Sequence, residues 1–246
     1  LPDNNIQTIQ NFPTEFQAQS LELIRRLIPA ESLRFSLVDP HMDLKGWVGS
    51  NMAIEVEQRY QKHYWHLDPM HPQNFRNSPE TVVCSHKMMP QKKWLQSILY
   101  QDFLKPMGIL HDVDMFFRSE TEIVAILTIL RTDSQGEFSD AELELLENLQ
   151  PYMEYALNTS YLPARFEERQ SAQDKYQMTV RELDVLEFAM SGANNKIIAQ
   201  QLGLSLPTVR THLQHIFKKA KVHSTSELIA KIYRELGFIP RLGGEI

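Results

Sequence analysis

Between Met178 and Leu236 apolar residues recur three and four positions apart, the period of helices with one buried face. Val209, Leu213, Ile216 and Ala220 form one such stripe. Ser205 is a good N-cap for that helix, and Pro207 falls in its first turn, where a missing N–H costs nothing. At about 100° per residue, Thr211, Gln214, His215 and Lys218 point away from the stripe, with Arg210 on the flank. Upstream, Thr179-Val-Arg-Glu182 reads as a capping box that opens a helix carrying Leu183, Leu186 and Met190 along one side, with Gly192 as its stop. Asn194 can cap a short helix through Leu202, whose inward face is Ile198, Ala199 and Leu202, and Gly203 supplies a left-handed stop. A short helix, a tight Gly-containing turn and a polar-faced helix predict a helix-turn-helix, and Ser224 to Leu236 predicts a further helix.

The first 160 residues alternate between helical and strand periods. Pro13 to Leu27 predicts an amphipathic helix with Phe16, Leu21, Ile24 and Leu27 inward. Ser32–Val38 and Gly46–Gly49 predict strands, and Asn51 caps a helix to about His66. After a Pro-containing loop come a short strand, Thr81–Cys84, and a helix from Pro90 to Leu104 closed by Gly108. His111–Arg118 and Ile123–Arg131 predict a hairpin, and the Ser139–Glu142 capping box opens a long helix to about Leu157. Helices flanking an antiparallel sheet predict an α+β fold of the PAS or GAF kind, followed by an all-α four-helix domain. The expected division is 1–160 for sensing, 161–177 as a polar linker or an extension of the preceding helix, and 178–246 for DNA.

Charge sharpens this division. The chain of 246 residues carries a net −6, but 178–238 holds 8 Lys/Arg against 5 Asp/Glu, or +3, while 1–177 holds 16 against 25, or −9. The basic part suits phosphate and the acidic part repels it. On the polar face, Arg210, Thr211 and Gln214 are expected at base edges, because Arg and Gln bond bases in bidentate fashion and Thr meets the thymine methyl. Lys196, Ser205, Thr208 and Lys218 are expected on the DNA backbone. The single cysteine, Cys84, excludes an internal disulfide and fits a reducing cytoplasm. No apolar run approaches 18 residues and no basic-then-apolar leader opens the residues, so no membrane partner is expected. His63, His66, His71, Cys84 and His86 lack the spacing of a metal motif, and no nucleophile–base pair stands out, so neither metal, cofactor nor enzyme activity is expected.

The run TVRELDVLEFAMSGANNKIIAQQLGLSLPTVRTHLQHIFKKAKV resembles the four-helix DNA-binding domain of the LuxR/NarL family of transcription regulators. Thr179, Arg181-Glu182, Val185-Leu186, Gly192, Asn195-Lys196, Ile198-Ala199, Leu202, Ser205, Thr208-Val209, His212-Leu213 and Lys219 fall in register with its pattern. Asn194, Ile197, Ala220 and Thr225 depart from it. Tyr60-x3-Tyr64-x3-Asp68-Pro69 is similar to a signature of the acyl-homoserine-lactone receptors, in which the Asp accepts a ligand N–H and a Tyr lies beside the ligand carbonyls. Their Trp, however, would fall near Val83, and only half of their glycine pair is present at Gly108. The surrounding sequence looks more like the GAF-like sensors of orphan LuxR-type regulators. The resemblance implies a small-molecule pocket with Tyr60, Tyr64 and Asp68 at its polar end and Trp47 and Trp94 as candidate walls.

Together these expectations describe a cytoplasmic, dimeric, ligand-responsive transcription factor that binds double-stranded DNA. Pairing is expected through Leu228, Ile229 and Ile232 of the last helix or Leu143, Leu146, Leu149 and Met153 of the long sensor helix. An enzyme or a protein-interaction sensor with an appended DNA-binding module is the alternative.

Overall fold

The computed structural model describes residues 6–8, 15–39, 41–50, 54–190 and 193–236. Pro13, the Asn51 cap and the Gly192 stop lie outside the described residues. The described residues divide into two compact units, the first running to Thr159 and the second from Ser160.

The N-terminal unit is a six-stranded antiparallel sheet in the order β1-β3-β2-β6-β5-β4. Its elements run β1 (Ile6–Thr8), α1 (Glu15–Leu27), β2 (Ser32–Val38), β3 (Leu44–Ser50), α2 (Ile54–His63), β4 (Val82–Cys84), α3 (Ser85–Met88), α4 (Gln91–Gln96), β5 (Ile109–Ser119), β6 (Glu122–Thr132) and α5 (Asp140–Ala156). The helix predicted from Pro90 to Leu104 breaks at Ser97 and resumes as a π-type turn, Leu99–Leu104. The long β5–β6 hairpin turns tightly at Glu120, whose φ of 56° is left-handed.

Period-two alternation decides what each face of the sheet meets. Leu33, Phe35 and Leu37 of β2 share one face. Phe35 stacks on Phe117 of β5 at 5.5 Å and meets Phe16 of α1 edge-on at 5.8 Å. Helix α5 closes that face: Ser139 and Glu142 form the expected reciprocal capping box, and Leu143, Leu146 and Met153 are buried. Buried Arg131 holds the helix start through Glu142 at 2.5 Å and lies over the Phe138 ring. The opposite face of the sheet carries Ser32, Arg34 and Ser36 on β2, Thr128 on β6, and Asp112 and Asp114 on β5. All six are buried. Tyr60, Met70, Phe103 and Leu104 cover it, in one cluster with Phe116, Ile126 and Leu130 of the sheet itself.

The C-terminal unit contains α6 (Leu162–Tyr176), α7 (Val180–Met190), α8 (Asn195–Gln201), α9 (Leu206–Ala220) and α10 (Thr225–Leu236). The stretch expected as a polar linker or an extension of the preceding helix is helical, as α6. Its Ala172 and Tyr176 enter the core of this unit because they recur four apart, and Arg169 pairs with Asp184 and Glu187 of α7. The surfaces expected to pair two subunits are also core. Leu228 and Ile232 are fully buried inside the C-terminal unit, with Ile229 packed against them, and Leu143, Leu146 and Met153 are buried under the sheet. Those five buried residues are taken up within their own units, while Leu149 and Ile229 are half-buried.

Candidate functional site

In the C-terminal unit, local sequence sets the helix-turn-helix. Asn194 Oδ1 accepts from the N–H groups of Lys196 and Ile197 at 3.0 and 3.1 Å. Gly203 adopts φ +63°, and Leu204 N–H closes the turn onto Ala199 O at 2.8 Å. Ser205 Oγ then caps α9 by accepting from Thr208 N–H at 3.2 Å. Val209, Leu213, Ile216 and Ala220 are buried, so the outer arc of α9 is fixed. Arg210, Thr211, Gln214, His215 and Lys218 are exposed on that arc, and Lys196 is exposed on α8. Two hydroxyls are already engaged: Thr211 Oγ1 donates to Pro207 O at 3.1 Å, and Ser205 and Thr208 hydroxyls bond each other at 2.7 Å. Glu182, buried at the start of α7, accepts from Lys219 Nζ at 2.6 Å and from Thr179. Burial raises its carboxyl pKa, but those hydrogen bonds outweigh burial and hold it below the ordinary range. This joins the capping box to α9 and braces the polar-faced helix from behind.

The N-terminal unit holds a cavity of about 50 Å³ on the polar face of the sheet. Arg34, Thr128 and Asp114 stand in register across three adjacent strands and form its floor. Asp112 lies two residues along β5 on the same face. Tyr60 and Asp68 reach the cavity from α2 and the loop after it, bonded to each other at 2.6 Å, while Asp68 Oδ1 accepts from Met70 N–H at 2.8 Å. Two other expected residues stand elsewhere. Tyr64 stacks on Phe103 at 5.0 Å with its hydroxyl toward Arg59, and Trp94 is buried with Nε1 donating to Leu110 O at 3.3 Å. The side chain of Trp47 lies outside the described residues.

Electrostatics make this cavity unlike a core. Burial pushes the Asp112 carboxyl up to about 7, a hydrogen bond from Ser85 only partly opposing it. Burial, then the nearby Asp68, pushes Asp114 well above the carboxylate range, although Thr128 Oγ1 donates to its Oδ1 at 2.6 Å. Burial likewise raises Asp68 against the pull of Tyr60, and lowers His71 toward the neutral imidazole. Asp112 is 7% exposed, and its Oδ1 has no hydrogen-bond partner. Arg34, Asp112, Asp114 and Thr128 were missed in the sequence. The available signal was His111-Asp-Val-Asp114, two acids one residue apart inside a strand otherwise long and apolar.

Elsewhere, buried Cys84 contacts His86 Nδ1 at 2.8 Å, and burial raises its thiol to about 12, well away from the reactive thiolate. Among the described residues no group of three His, Cys, Asp or Glu is placed to hold a metal ion, and no helix is long and apolar enough to cross a membrane.

A family model described as "Bacterial regulatory proteins, luxR family" matches residues 176–232, which span α7 to α9 and most of α10. The monoamine regulon transcriptional regulator of Klebsiella aerogenes is 28% identical over 221 residues, 88% of this chain and 89% of that protein. The nitrate/nitrite response regulator protein NarL of Escherichia coli is 32% identical over 94 residues, 38% of this chain and 40% of that protein. Among solved structures, the VqsR LBD domain of Pseudomonas aeruginosa is 12% identical with a TM-score of 0.47, covering 64% of this chain and 89% of that one. Escherichia coli SdiA is 16% identical with a TM-score of 0.37, covering 96% and 93%. The capped helix-turn-helix and the family match over it identify residues 176–232 as a LuxR-family helix-turn-helix domain, the DNA-binding part of a chain similar over most of its length to a transcriptional regulator.

Proposed function

We propose that residues 1–160 sense a small molecule in the cavity over the sheet, and that residues 178–246 read DNA in response. The observation that carries this reading is the cavity itself. Burying three carboxyl groups around one cavity is costly, and a packed apolar core would avoid the cost. Tyr60 and Asp68 form its polar end. Arg210, Thr211 and Gln214 face base edges, while Lys196, Lys218 and the Ser205–Thr208 start of α9 meet phosphates.

A homodimer is part of the proposal, because such modules read paired half-sites. With most of the two expected stripes buried, the exposed face of α5 carrying Tyr152 and Tyr155 is the surface we assign to pairing. The regulon named for the Klebsiella aerogenes relative, concerned with monoamines, is the target we extend to this chain.

The test is to fill the cavity. Leu130→Trp places an indole where the floor meets the apolar cover. The reading expects operator affinity of the full-length chain to be fixed at one value whatever small molecules are supplied, with helix content preserved by circular dichroism. A folded variant that still responds as the parent does would refute it.

A further inference from the structure

The cavity's charge points to the class of ligand. Asp68, Asp112 and Asp114 line it against a single guanidinium, Arg34, and the neighbouring His71 is held toward its neutral form. Arg34 lies over the Tyr60 ring at 5.6 Å, in the row of Thr128 and Asp114 rather than that of Asp112. The charged neighbour acting on Asp112 is another acid, Asp68. Its Oδ1 is buried, lacks a partner and belongs to the cavity wall. A buried carboxyl oxygen left in that state loses water without gaining a bond, unless a donor arrives from outside the chain.

A metal ion does not fit the described residues, which offer no triad of ligands. The other walls are apolar, among them Phe103, Leu104, Ile126 and Leu130. A group that is cationic, rich in donors and joined to an apolar body answers both halves of the cavity.

We propose that the cavity binds a small primary amine as its ammonium ion, seated on Asp112 Oδ1 and flanked by Asp114, with its hydrocarbon part against Phe103 and Leu130. The proposal rests on the reading of this cavity as the sensor site. Three N–H donors match the open oxygen of Asp112 and the acceptor sites that Thr128 leaves on Asp114. The space has room for roughly three to five waters, so short alkylamines enter directly. Arylalkylamines enter when the flexible Met70 and Met107 in the wall yield.

The test uses the full chain at pH 8 and follows thermal unfolding by tryptophan emission. Butylamine and phenethylamine are compared with butanol, phenethyl alcohol and butyrate. The amines are expected to raise the midpoint by several degrees in a concentration-dependent manner, and the isosteric alcohols and butyrate to leave it unchanged. Asp112→Asn, which preserves shape, should weaken amine binding at least tenfold, whereas Asp112→Glu should retain part of it. Equal effects of amine and alcohol, full amine affinity in folded Asp112→Asn, or no amine effect at all would overturn the assignment. Stabilisation by alcohol or butyrate alone would overturn the class and leave the sensor reading standing. The sensor reading falls separately, on Leu130→Trp responding as the parent does.

Discussion

Replacing Asp112 by Asn should stabilise the N-terminal unit, and only above acidic pH. In the fold the Asp112 carboxyl is raised from 3.8 to about 7, mainly by burial, with Asp68 adding to it and a Ser85 hydrogen bond opposing it. Asp114 on the same face and Cys84 beside it also feel its charge. Below pH 3.8 both folded and unfolded chains hold the proton, so the site contributes no pH dependence. As pH rises, the unfolded chain ionises first and gains free energy that the folded chain cannot match until about pH 7. Stability is therefore fully present at low pH, lost across this window, and level above it. At about 1.4 kcal/mol per pH unit the loss reaches about 4 kcal/mol, and relaxation around a buried charge reduces it to roughly 2–4. Asparagine cannot ionise and escapes the loss. Urea unfolding followed by tryptophan emission isolates the effect, because all three tryptophans, Trp47, Trp65 and Trp94, belong to this unit. Parent and Asp112→Asn should unfold alike at pH 4, with the variant more stable by that amount at pH 8. Parallel curves from pH 4 to 8 would mean that the carboxylate is solvated or paired, and the argument for an unmet buried acid would collapse.

Three other outcomes follow from the same structure. Lys196→Ala should weaken binding to all DNA sequences alike and flatten the slope of log K against log salt by about one, measured by anisotropy. Removing the α9 cap with Ser205→Ala should cost the C-terminal unit about 0.5–2 kcal/mol in chemical unfolding, since Thr208 N–H loses its acceptor. Charging the exposed face of α5 with Tyr152→Glu and Tyr155→Glu should convert a dimer to a monomer by sedimentation at micromolar concentration; a dimer that survives both changes would place the pairing surface elsewhere.

Elements fixed by local chemistry were legible in the sequence. The Thr179–Glu182 and Ser139–Glu142 boxes, the Asn194 and Ser205 caps and the left-handed Gly203 each name a backbone geometry through one side chain, and each is present in the fold. Strand β2 appears with the expected bounds because polar and apolar residues alternate from Ser32 to Leu37. Partners were harder to read. An apolar stripe shows that a face is buried but not against what, so Leu228 and Ile232 passed for a subunit interface when they are the core of their own unit. Helix α6 looked like a linker because its buried residues, Ala172 and Tyr176, are few among many charges. The cavity floor was hidden for a different reason. Arg34, Thr128 and Asp114 come from three strands, and only the register across β2, β6 and β5 makes them neighbours. Tyr60 and Asp68, eight residues apart in the chain, lay within reach of a local motif.

At the centre stands the proposal that the LuxR-family domain of this chain reads DNA through the outer arc of α9. Its most direct test is affinity of the full-length chain for a duplex recovered from a random-sequence pool, measured beside a scrambled competitor over a salt series. The account predicts enrichment of a defined sequence and a specific affinity at least a thousandfold above competitor, on the order of the range such interfaces reach. Arg210→Ala should lose about 1–3 kcal/mol of that preference and relax selection at one base position. No enriched sequence, or an enriched sequence bound equally well after Arg210, Thr211 and Gln214 are all replaced by alanine, would contradict it.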